Sequence, residues 1–392
     1  MKKIKIFLGT KILLLTLLTT NVRAQDYGFA IDQLQILPPY MGTFIGEYMR
    51  DINENLNNQF FFASQTSAAA LKKGEWEISV LGGGSLITSQ EINQPDQRDY
   101  PHGQQIFISG EVPTIFGPSQ PSSLTFQFKD PDSGQPLTNP FDGTNIEFSL
   151  DLPSGLGLGL GATPSAALSL GYGIGYGTEV KAYFTPMLLS ILGETEDGFS
   201  FNGDQAWGFQ LKHEISHWIP KMKEKGYHMS ISGGYSSYNL AIESSFLDAP
   251  IEIALSDSVS IFASDNISGI VYDISTYGGK FTIGKSFKYM EFAAFVDYTE
   301  NSFSMASEGG LIVDLIDKTG DTPNETSNIN GLMDYEGTNS QMGYGASLTI
   351  GQKLFRTSLS YRRANTNFFA IGIQFHFGGK KDAPSPKEAK DQ

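Results

Sequence analysis

The feature of this sequence that most constrains its fold is an alternation of apolar and polar side chains that begins near Gly74. In GEWEISVLGG, which starts there, every second residue from Trp76 to Val80 is apolar, and the residues between them are glutamate or serine. Successive side chains of a strand point to opposite faces, so a period of two predicts β-strands. The same pattern returns in NIEFSLDL, EVKAYFTP, AWGFQLKHEI, KGYHMSISGGYSSYNLAIE, GKFTIGKSF, YMEFAAFVDY, MGYGASLTIG, RTSLSYRR and NFFAIGIQFHFG.

The contents of the two faces distinguish a membrane barrel from a soluble β-sandwich, because alternation alone fits both. In NFFAIGIQFHFG one face is large and apolar, and the other is mostly small or polar. The first face holds Phe369, Ile371, Ile373, Phe375 and Phe377, and the second holds Phe368, Ala370, Gly372, Gln374 and His376. A lipid-facing strand with a polar lumen requires this division. We therefore predict an all-β fold, an antiparallel transmembrane β-barrel of the outer membrane with about 12 to 14 strands over residues 74–378.

The two ends of the chain differ from this body. Residues 1–24 have a lysine-rich start, a short apolar core and small residues before Gln25, which predicts a cleaved signal peptide and export to the outer membrane. Residues 25–73 contain apolar residues at helical spacing, so we predict a short N-terminal helical segment that either plugs the pore or packs on the barrel. Residues 379–392 are polar and proline-containing, which is typical of a disordered tail.

Composition excludes several functional classes. The chain contains no cysteine, so it has no disulfides, no thiolate metal site and no cysteine for lipid attachment. Its formal net charge is −15, and loss of the five basic residues of the predicted signal peptide, which has no acid, brings this to −20. Nucleic-acid binding requires a basic surface, so we expect no nucleic-acid partner.

Two runs of alternating glycine, GLGLGLG at residues 155–161 and GYGIGYG at residues 171–177, leave one strand face bare. Neither matches the G-x-G-x-x-G phosphate-binding pattern, because Leu160 and Tyr176 stand where its third glycine is required. A bare face indicates either a close approach by another segment, such as the N-terminal plug or a ligand, or a sharp bend of the strand at a barrel corner.

The stretch KHEISHWIP contains His213, Glu214 and His217, which spell the H-E-x-x-H motif of zinc proteases. Two histidines four residues apart converge on one metal only on a helix, whereas on a strand they lie about 13 Å apart. The alternation of AWGFQLKHEI runs directly into the motif, and Pro220 follows shortly after it. We therefore predict a strand followed by a turn, and no zinc site.

Other candidate chemistry is weaker. His228 and His376 fall on predicted lumen faces with serines nearby, which is not enough to define a serine hydrolase. DPDSG at residues 130–134 spaces two carboxylates like the start of a calcium loop but lacks its other ligands. Residues 314–341 are long, polar and acidic, so we expect an extracellular loop there, whereas residues 175–178 and 354–356 predict tight turns. We assign no catalytic, cofactor-binding or metal-binding residue and expect no cofactor.

Several stretches resemble a known family. They are WGFQLKHEISHWIP, LPSGLGLGLGATPSAALSLGYGIGYGTEVKAYFTP and NENLNNQFFFASQTSAAALKKGEWEISVLGG. Together they resemble an uncharacterised family of exported β-barrel proteins from the Bacteroidota, of unknown function. A helical segment before a barrel is also similar, more distantly, to the FadL-type transporters of hydrophobic compounds, although their Asn-Pro-Ala signature is absent here. The resemblance implies the barrel and carries over no functional residue.

These observations favour a non-enzymatic outer-membrane channel or transporter for small solutes, hydrophobic ones included, with outer-membrane lipid as its surroundings. The alternative is a non-catalytic envelope scaffold or secretion-complex partner that acts through its acidic loops. A zinc peptidase or a lipid hydrolase is a more remote alternative.

Overall fold

The computed structural model describes residue 49 and residues 67–86, 90–92, 105–112, 122–129, 133, 135–136, 147–152, 162–185, 200–243, 251–254, 259–317, 325–331, 334–352 and 354–379. The predicted signal peptide, the glycine run at residues 155–161 and residues 380–392 lie outside this set. No helix among the described residues combines the length and the apolar character needed to cross a bilayer.

In the described part of the chain, ten strands close into one antiparallel barrel. They are β1 (Glu75–Leu86), β6 (Ala162–Gly175), β7 (Thr178–Thr185), β8 (Ser200–Glu214), β9 (Tyr227–Glu243), β12 (Gly269–Ser286), β13 (Met290–Glu308), β16 (Tyr335–Gln352), β17 (Phe355–Arg363) and β18 (Asn367–Gly378). Around the barrel their order is β1-β18-β17-β16-β13-β12-β9-β8-β7-β6. β1 pairs with both β18 and β6, which closes the sheet and leaves it without exposed edges.

Eight further described strands lie outside the barrel in two four-stranded sheets. One sheet contains β2 (Gln90–Ile92), β3 (Gln105–Val112), β4 (Ser122–Lys129) and β5 (Glu147–Leu152), and the other contains β10 (Ile251–Ala254), β11 (Val259–Asp265), β14 (Gly310–Asp317) and β15 (Glu325–Asn330). The predicted count of 12 to 14 barrel strands is therefore wrong. Period-two alternation identifies strands, but it does not show which sheet they join.

The prediction of a loop over residues 314–341 is also wrong, because most of the described part of this range forms strands. It contains the end of β14, all of β15 and the start of β16. β15 and the start of β16 are mostly polar, and β14 holds consecutive apolar residues, so none of them shows the alternation on which the strand prediction depended. Their partners come from distant parts of the chain: β14, for example, pairs with β11.

The two faces of the barrel follow the predicted division. On β18 the side chains of Phe369, Ile371, Ile373, Phe375 and Phe377 are 40% to 59% exposed, whereas those of Phe368, Ala370, Gln374 and His376 are at most 4% exposed. The apolar side chains therefore cover the outside, and the polar ones line the interior. This arrangement confirms the predicted fold class, an antiparallel transmembrane β-barrel.

The connections at the two ends of the barrel are unequal. At one end, which we call the short-turn end, β6 and β7 are joined by Tyr176 and Gly177, and β12 and β13 by residues 287–289. The longest connection there holds a 3-10 helix, Ile215–Trp218, and a one-turn helix α1, Pro220–Glu224. Both four-stranded sheets arise from connections at the opposite, long-loop end. The tight turns predicted at residues 175–178 and 354–356 both lie at the short-turn end.

Candidate gate at the short-turn end of the barrel

Residues 67–73, which immediately precede β1, cross the lumen at the short-turn end; we call them the plug segment. This part of the predicted N-terminal helix is wrong, because the plug segment has no helical turn. Four of its backbone amides donate to carboxylates at the lumen mouth instead of to carbonyls of a preceding turn. Apart from Met49, which lies in a turn and is buried, the remainder of the predicted helical segment lies outside the described residues.

Carboxylates from different strands hold the plug segment by its backbone. Glu291 of β13 accepts from the Ala68 amide at 2.6 Å and from the Ser67 hydroxyl at 2.8 Å. Three further amides donate to three further carboxylates: Ala70 to Glu214 at 2.9 Å, Leu71 to Glu179 at 2.8 Å and Lys72 to Glu75 at 2.9 Å. Because β13 and β7 lie on different sides of the barrel, the segment spans the mouth.

Lys212 of β8 also binds the plug segment, through carbonyl groups of its backbone. Its Nζ lies 2.9 Å from the Ala69 carbonyl oxygen, 3.4 Å from that of Ser67 and 2.8 Å from Glu179 Oε1. One buried ammonium therefore binds two carbonyls of the plug segment and a carboxylate that binds one of its amides. The contacts of Glu291 and Lys212 with the backbone make the attachment largely independent of the side chains of the segment.

The glycines of GYGIGYG form the wall against which the plug segment lies. A Cβ placed on Gly173 would stand 1.9 Å from the Lys72 carbonyl oxygen, and one on Gly171 would stand 3.1 Å from a Leu71 methyl. The register between β6 and β7 also shifts between Gly173 and Gly175. The close approach predicted from the bare face is therefore confirmed, with the segment before β1 as the approaching element, and the bend is present as well. Residues 155–161 lie outside the described residues.

Deeper in the lumen, charges of the barrel strands neutralise one another. Lys181 binds Glu77 at 2.7 Å, and Arg362 donates to Asp297 through Nε at 3.0 Å and Nη2 at 2.6 Å. Lys280 lies 3.9 Å above the Phe295 ring. All six of these side chains are nearly inaccessible to solvent. Removing one partner of such an ion pair leaves a buried charge uncompensated, so loss of either partner is strongly destabilising.

Two cavities flank the plug segment. One, of about 820 Å³, opens at the short-turn end and is lined by Lys72, Glu75, His228, Glu291, Arg356 and His376 among others. The other, of about 300 Å³, lies between the segment and the lumen and includes Glu179, Lys181 and Lys212 in its lining. Charged groups therefore line the space on both sides of the segment.

The histidines predicted to face the lumen do so, and both bind carboxylates. His228 Nδ1 lies 2.8 Å from Glu214 Oε1, and His376 Nδ1 lies 3.1 Å from Glu75 Oε1. The serine near His228 is Ser216, whose hydroxyl donates to Glu214 and accepts from the Met229 amide. Ser216 and His228 therefore bind the same carboxylate oxygen, Glu214 Oε1.

KHEISHWIP forms the end of β8 followed by the 3-10 helix, so the predicted strand and turn are confirmed. His213 lies on the outer face, where its ring nitrogens contact the Thr178 hydroxyl at 2.9 Å and the Trp218 indole N–H at 3.1 Å. Glu214, the next residue, lies on the lumen face. The helical arrangement of a zinc motif is therefore not formed. Over the described ranges, no group of three or more His, Asp or Glu residues is placed to hold a metal ion; of residues 130–134, Ser133 alone is described.

The sequence contained a signal for the charged network that the prediction did not use. Charged residues recur on the face opposite the apolar one, as with Glu179 and Lys181 in EVKAYFTP and Lys212 and Glu214 in AWGFQLKHEI. Such charges in a narrow interior must be paired. Their partners on other strands could not be read from the pattern.

Three solved structures align with much of this chain at low similarity. An outer-membrane channel from Pseudomonas putida F1 shares 10% identity, with 80% of this chain and 99% of that chain covered and a TM-score of 0.28. The translocator domain of the autotransporter NalP from Neisseria meningitidis shares 9% identity over 79% and 89%, with a TM-score of 0.24. Ail of Yersinia pestis shares 10% over 78% and 99%, with a TM-score of 0.21. Similarity this weak supports no inference about function.

A search of curated protein sequences finds no match. The sequence resemblance pointed to a family of unknown function, and a family model supports that part of it. A bacteroidotan source and a relation to FadL-type transporters stay predictions. The model matches residues 1–377 of the 392, so the chain belongs to the family described as "Family of unknown function (DUF6588)".

Proposed function

We propose that this protein is an outer-membrane channel for small polar solutes, and that the plug segment is its gate. The observation that carries the proposal is the attachment of a non-helical segment across the mouth of a charged, polar lumen, mainly through its own backbone. The apolar exterior and the predicted signal peptide support the location in the outer membrane. The polar lining favours polar solutes over the hydrophobic ones that the sequence left open.

The plug segment has the properties of a displaceable closure. It is held by hydrogen bonds to charged groups, each of which contributes about 1.5–3 kcal/mol. Ala68, Ala69 and Ala70 bury little apolar surface, and Leu71 is the one large apolar side chain that the described segment buries, so hydrogen bonds to charged groups make up most of its attachment. When the segment leaves, water and ions can bind the exposed carboxylates, whereas the barrel strands keep all their mutual hydrogen bonds.

A disulfide between the plug segment and the barrel wall tests the proposal. The chain has no native cysteine, so a designed pair can be assigned without ambiguity. Ala68 Cβ lies 2.9 Å from the position of a Cβ on Gly284 of β12. Disulfide-bonded cysteines place their Cβ atoms about 3.5–4.5 Å apart, so a small displacement brings the pair to this geometry. The measurement is single-channel current across a planar bilayer with the double variant Ala68→Cys, Gly284→Cys.

We expect the oxidised double variant to be silent and its current to return on reduction. The single variants are the matched controls: Gly284→Cys carries the close contact of the new Cβ, Ala68→Cys carries the new thiol on the plug segment, and neither can form the bridge. Current that persists in the oxidised double variant would show that the plug segment is not the gate. Absence of current from every form, wild type included, would exclude the channel.

The alternative, a non-catalytic scaffold, is favoured by one observation. Eight of the described strands form two sheets beyond the barrel, and a simple channel does not need them. The edge strands of an open sheet, such as β10 and β15, present unpaired backbone groups to a partner strand. A protein that is silent in bilayers but copurifies with an envelope protein in stoichiometric amount would support this function over the channel.

A further inference from the structure

The short-turn end carries a basic surface that the net charge of the chain does not predict. The chain as a whole has a formal charge of −15. Among the described residues at this end, the cations outside the lumen that reach solvent are Lys72, Lys73, Lys221, Lys223, Lys225, Lys285 and Lys288. We call this set of seven cations the basic rim. Of the described carboxylates there, Glu224 is exposed, whereas Glu75, Glu179, Glu214 and Glu291 are directed into the mouth of the lumen.

The opposite end has the reverse charge. Among the described residues at the ends of β12, β13 and β16 and in the connections between them, Asp273, Glu308, Asp334 and Glu336 are exposed. The neighbouring exposed cation is Arg363 of β17. The barrel therefore has a basic rim at its short-turn end and acidic residues at its long-loop end, so its two ends meet their surroundings with different charge.

Large aromatic residues surround the basic rim on the outer face. Trp76, Tyr176, Trp218, Tyr227, Phe287, Tyr289, Phe355 and Phe377 are all exposed at this end. Aromatic residues in this position form the girdle that lies at the level of the lipid headgroups. The basic rim therefore stands at the height at which headgroup phosphates would lie.

Specific contacts hold two lysines of the rim against these rings. Lys285 Nζ lies 4.6 Å from the centre of the Tyr227 ring and donates to its hydroxyl at 3.2 Å. Lys288 Nζ lies 4.9 Å from the centre of the Tyr289 ring. Contacts of this kind keep the ammonium groups close to the apolar belt, because a cation is attracted to the face of an aromatic ring.

We propose that the basic rim binds the anionic phosphate headgroups of phospholipids in the leaflet next to the short-turn end. A chain that lies with the apolar belt in the bilayer brings the cations of the β8–β9 and β12–β13 connections to the headgroup layer. Each basic residue near an anionic membrane surface contributes about 1 kcal/mol, so several together give a strong preference over zwitterionic lipid. The proposal requires membrane insertion and does not depend on channel activity.

Quenching of tryptophan fluorescence by brominated lipid measures this preference. The chain has three tryptophans, and Trp76 and Trp218 lie at the short-turn end. In the Trp207→Phe variant, all tryptophan emission therefore comes from these two residues beside the basic rim. The full chain is reconstituted into phosphatidylcholine bilayers that contain a fixed fraction of brominated phosphatidylglycerol or of brominated phosphatidylcholine. We expect phosphatidylglycerol to bind about five-fold more tightly or better, since one basic residue contributes a factor of that order.

The test variant replaces Lys221, Lys223 and Lys225 with glutamine. These residues are exposed and lie outside the strands, so the barrel is retained. We expect the preference to fall towards unity in this variant and in wild type at high salt, because salt screens exposed charges. Arg363→Gln, at the other end, is the control and should leave the preference unchanged. Equal quenching by both lipids in wild type, or an unchanged preference in the triple variant, would overturn the proposal.

Discussion

The middle of the lumen and its short-turn mouth satisfy their buried carboxylates in different ways. In the middle, Asp297 and Glu77 bind cations that belong to other barrel strands. At the mouth, Glu291 binds the backbone of a segment that is not part of the barrel. The first kind of contact persists for as long as the barrel is folded. The second can be released without loss of a strand, which is why the mouth, and not the middle, is suited to act as a gate.

The largest effect should follow from breaking a contact in the middle. Arg362→Leu leaves Asp297 buried without its partner, and we expect the barrel to lose about 3–5 kcal/mol of folding free energy. The measurement is urea unfolding in lipid vesicles, followed by the heat-modifiable shift on gels. Arg363→Leu is the matched control, because the next residue along β17 is exposed; it should change stability by less than about 0.5 kcal/mol. Equal losses in both variants would contradict the pairing.

A methyl group on the glycine wall should open the mouth while the barrel stays folded. In Gly173→Ala the new Cβ would stand 1.9 Å from the Lys72 carbonyl oxygen, so the plug segment has to move away. We expect channel openings to increase about ten-fold or more, since loss of one charged hydrogen bond already has an effect of that order.

The matched control for this change is Gly279→Ala in β12. The nearest atom to a Cβ there, the Ser232 carbonyl oxygen, is at 3.7 Å, an ordinary van der Waals distance. This variant should behave like wild type in conductance and in protease cleavage of the plug segment. If Gly173→Ala matched it in both measurements, the close approach of the plug segment would be refuted.

A smaller effect should follow from removing one charge at the mouth. Glu291→Gln keeps an acceptor for the Ala68 amide but loses the negative charge, so one contact of the plug segment weakens. We expect a several-fold rise in the rate of protease cleavage within residues 67–73, because a charged hydrogen bond is about twice as strong as a neutral one. Glu300→Gln, on the exposed outer face of the same strand, should leave that rate unchanged. A rise in both variants would point to a general loosening of β13.

The smallest effect should come from the H-E-x-x-H stretch. His213→Ala removes contacts with Thr178 and Trp218 on the outer face, and we expect a loss of about 1 kcal/mol or less. Elemental analysis of the purified wild type should give far less than one zinc per chain. Stoichiometric zinc that disappears in His217→Ala would show that the motif binds metal after all.

The sequence predicted the faces of the strands more reliably than their partners. The outer and inner sides of β18 follow from the alternation of Phe369 and Ile371 with Ala370 and Gln374, because that alternation is local. The number of barrel strands was predicted wrongly, since a strand such as β5, which the alternation identified, pairs outside the barrel. Strands β14 and β15 were missed for different reasons: β15 is polar on both faces, and β14 holds consecutive apolar residues from Leu311 to Val313, so neither alternates with a period of two.

The prediction of the plug segment from the sequence was limited in the same way. The bare face at Gly171 and Gly173 was visible in the sequence, and a close approach was one of its two interpretations. That residues 67–73 make the approach without forming a helix depends on carboxylates from β1, β7, β8 and β13, which are widely separated along the chain. No local sequence pattern predicts that these four carboxylates come together around one segment.

By itself the sequence determined that this protein is a β-protein with one apolar and one polar face, because side-chain direction in a strand is a property of neighbouring residues. The tertiary structure alone decided that ten strands close the barrel, that Arg362 meets Asp297, and that the segment before β1 lies across the mouth. These features depend on contacts between residues that are far apart in the chain. Such contacts form only when the sheet closes and brings those residues into one interior.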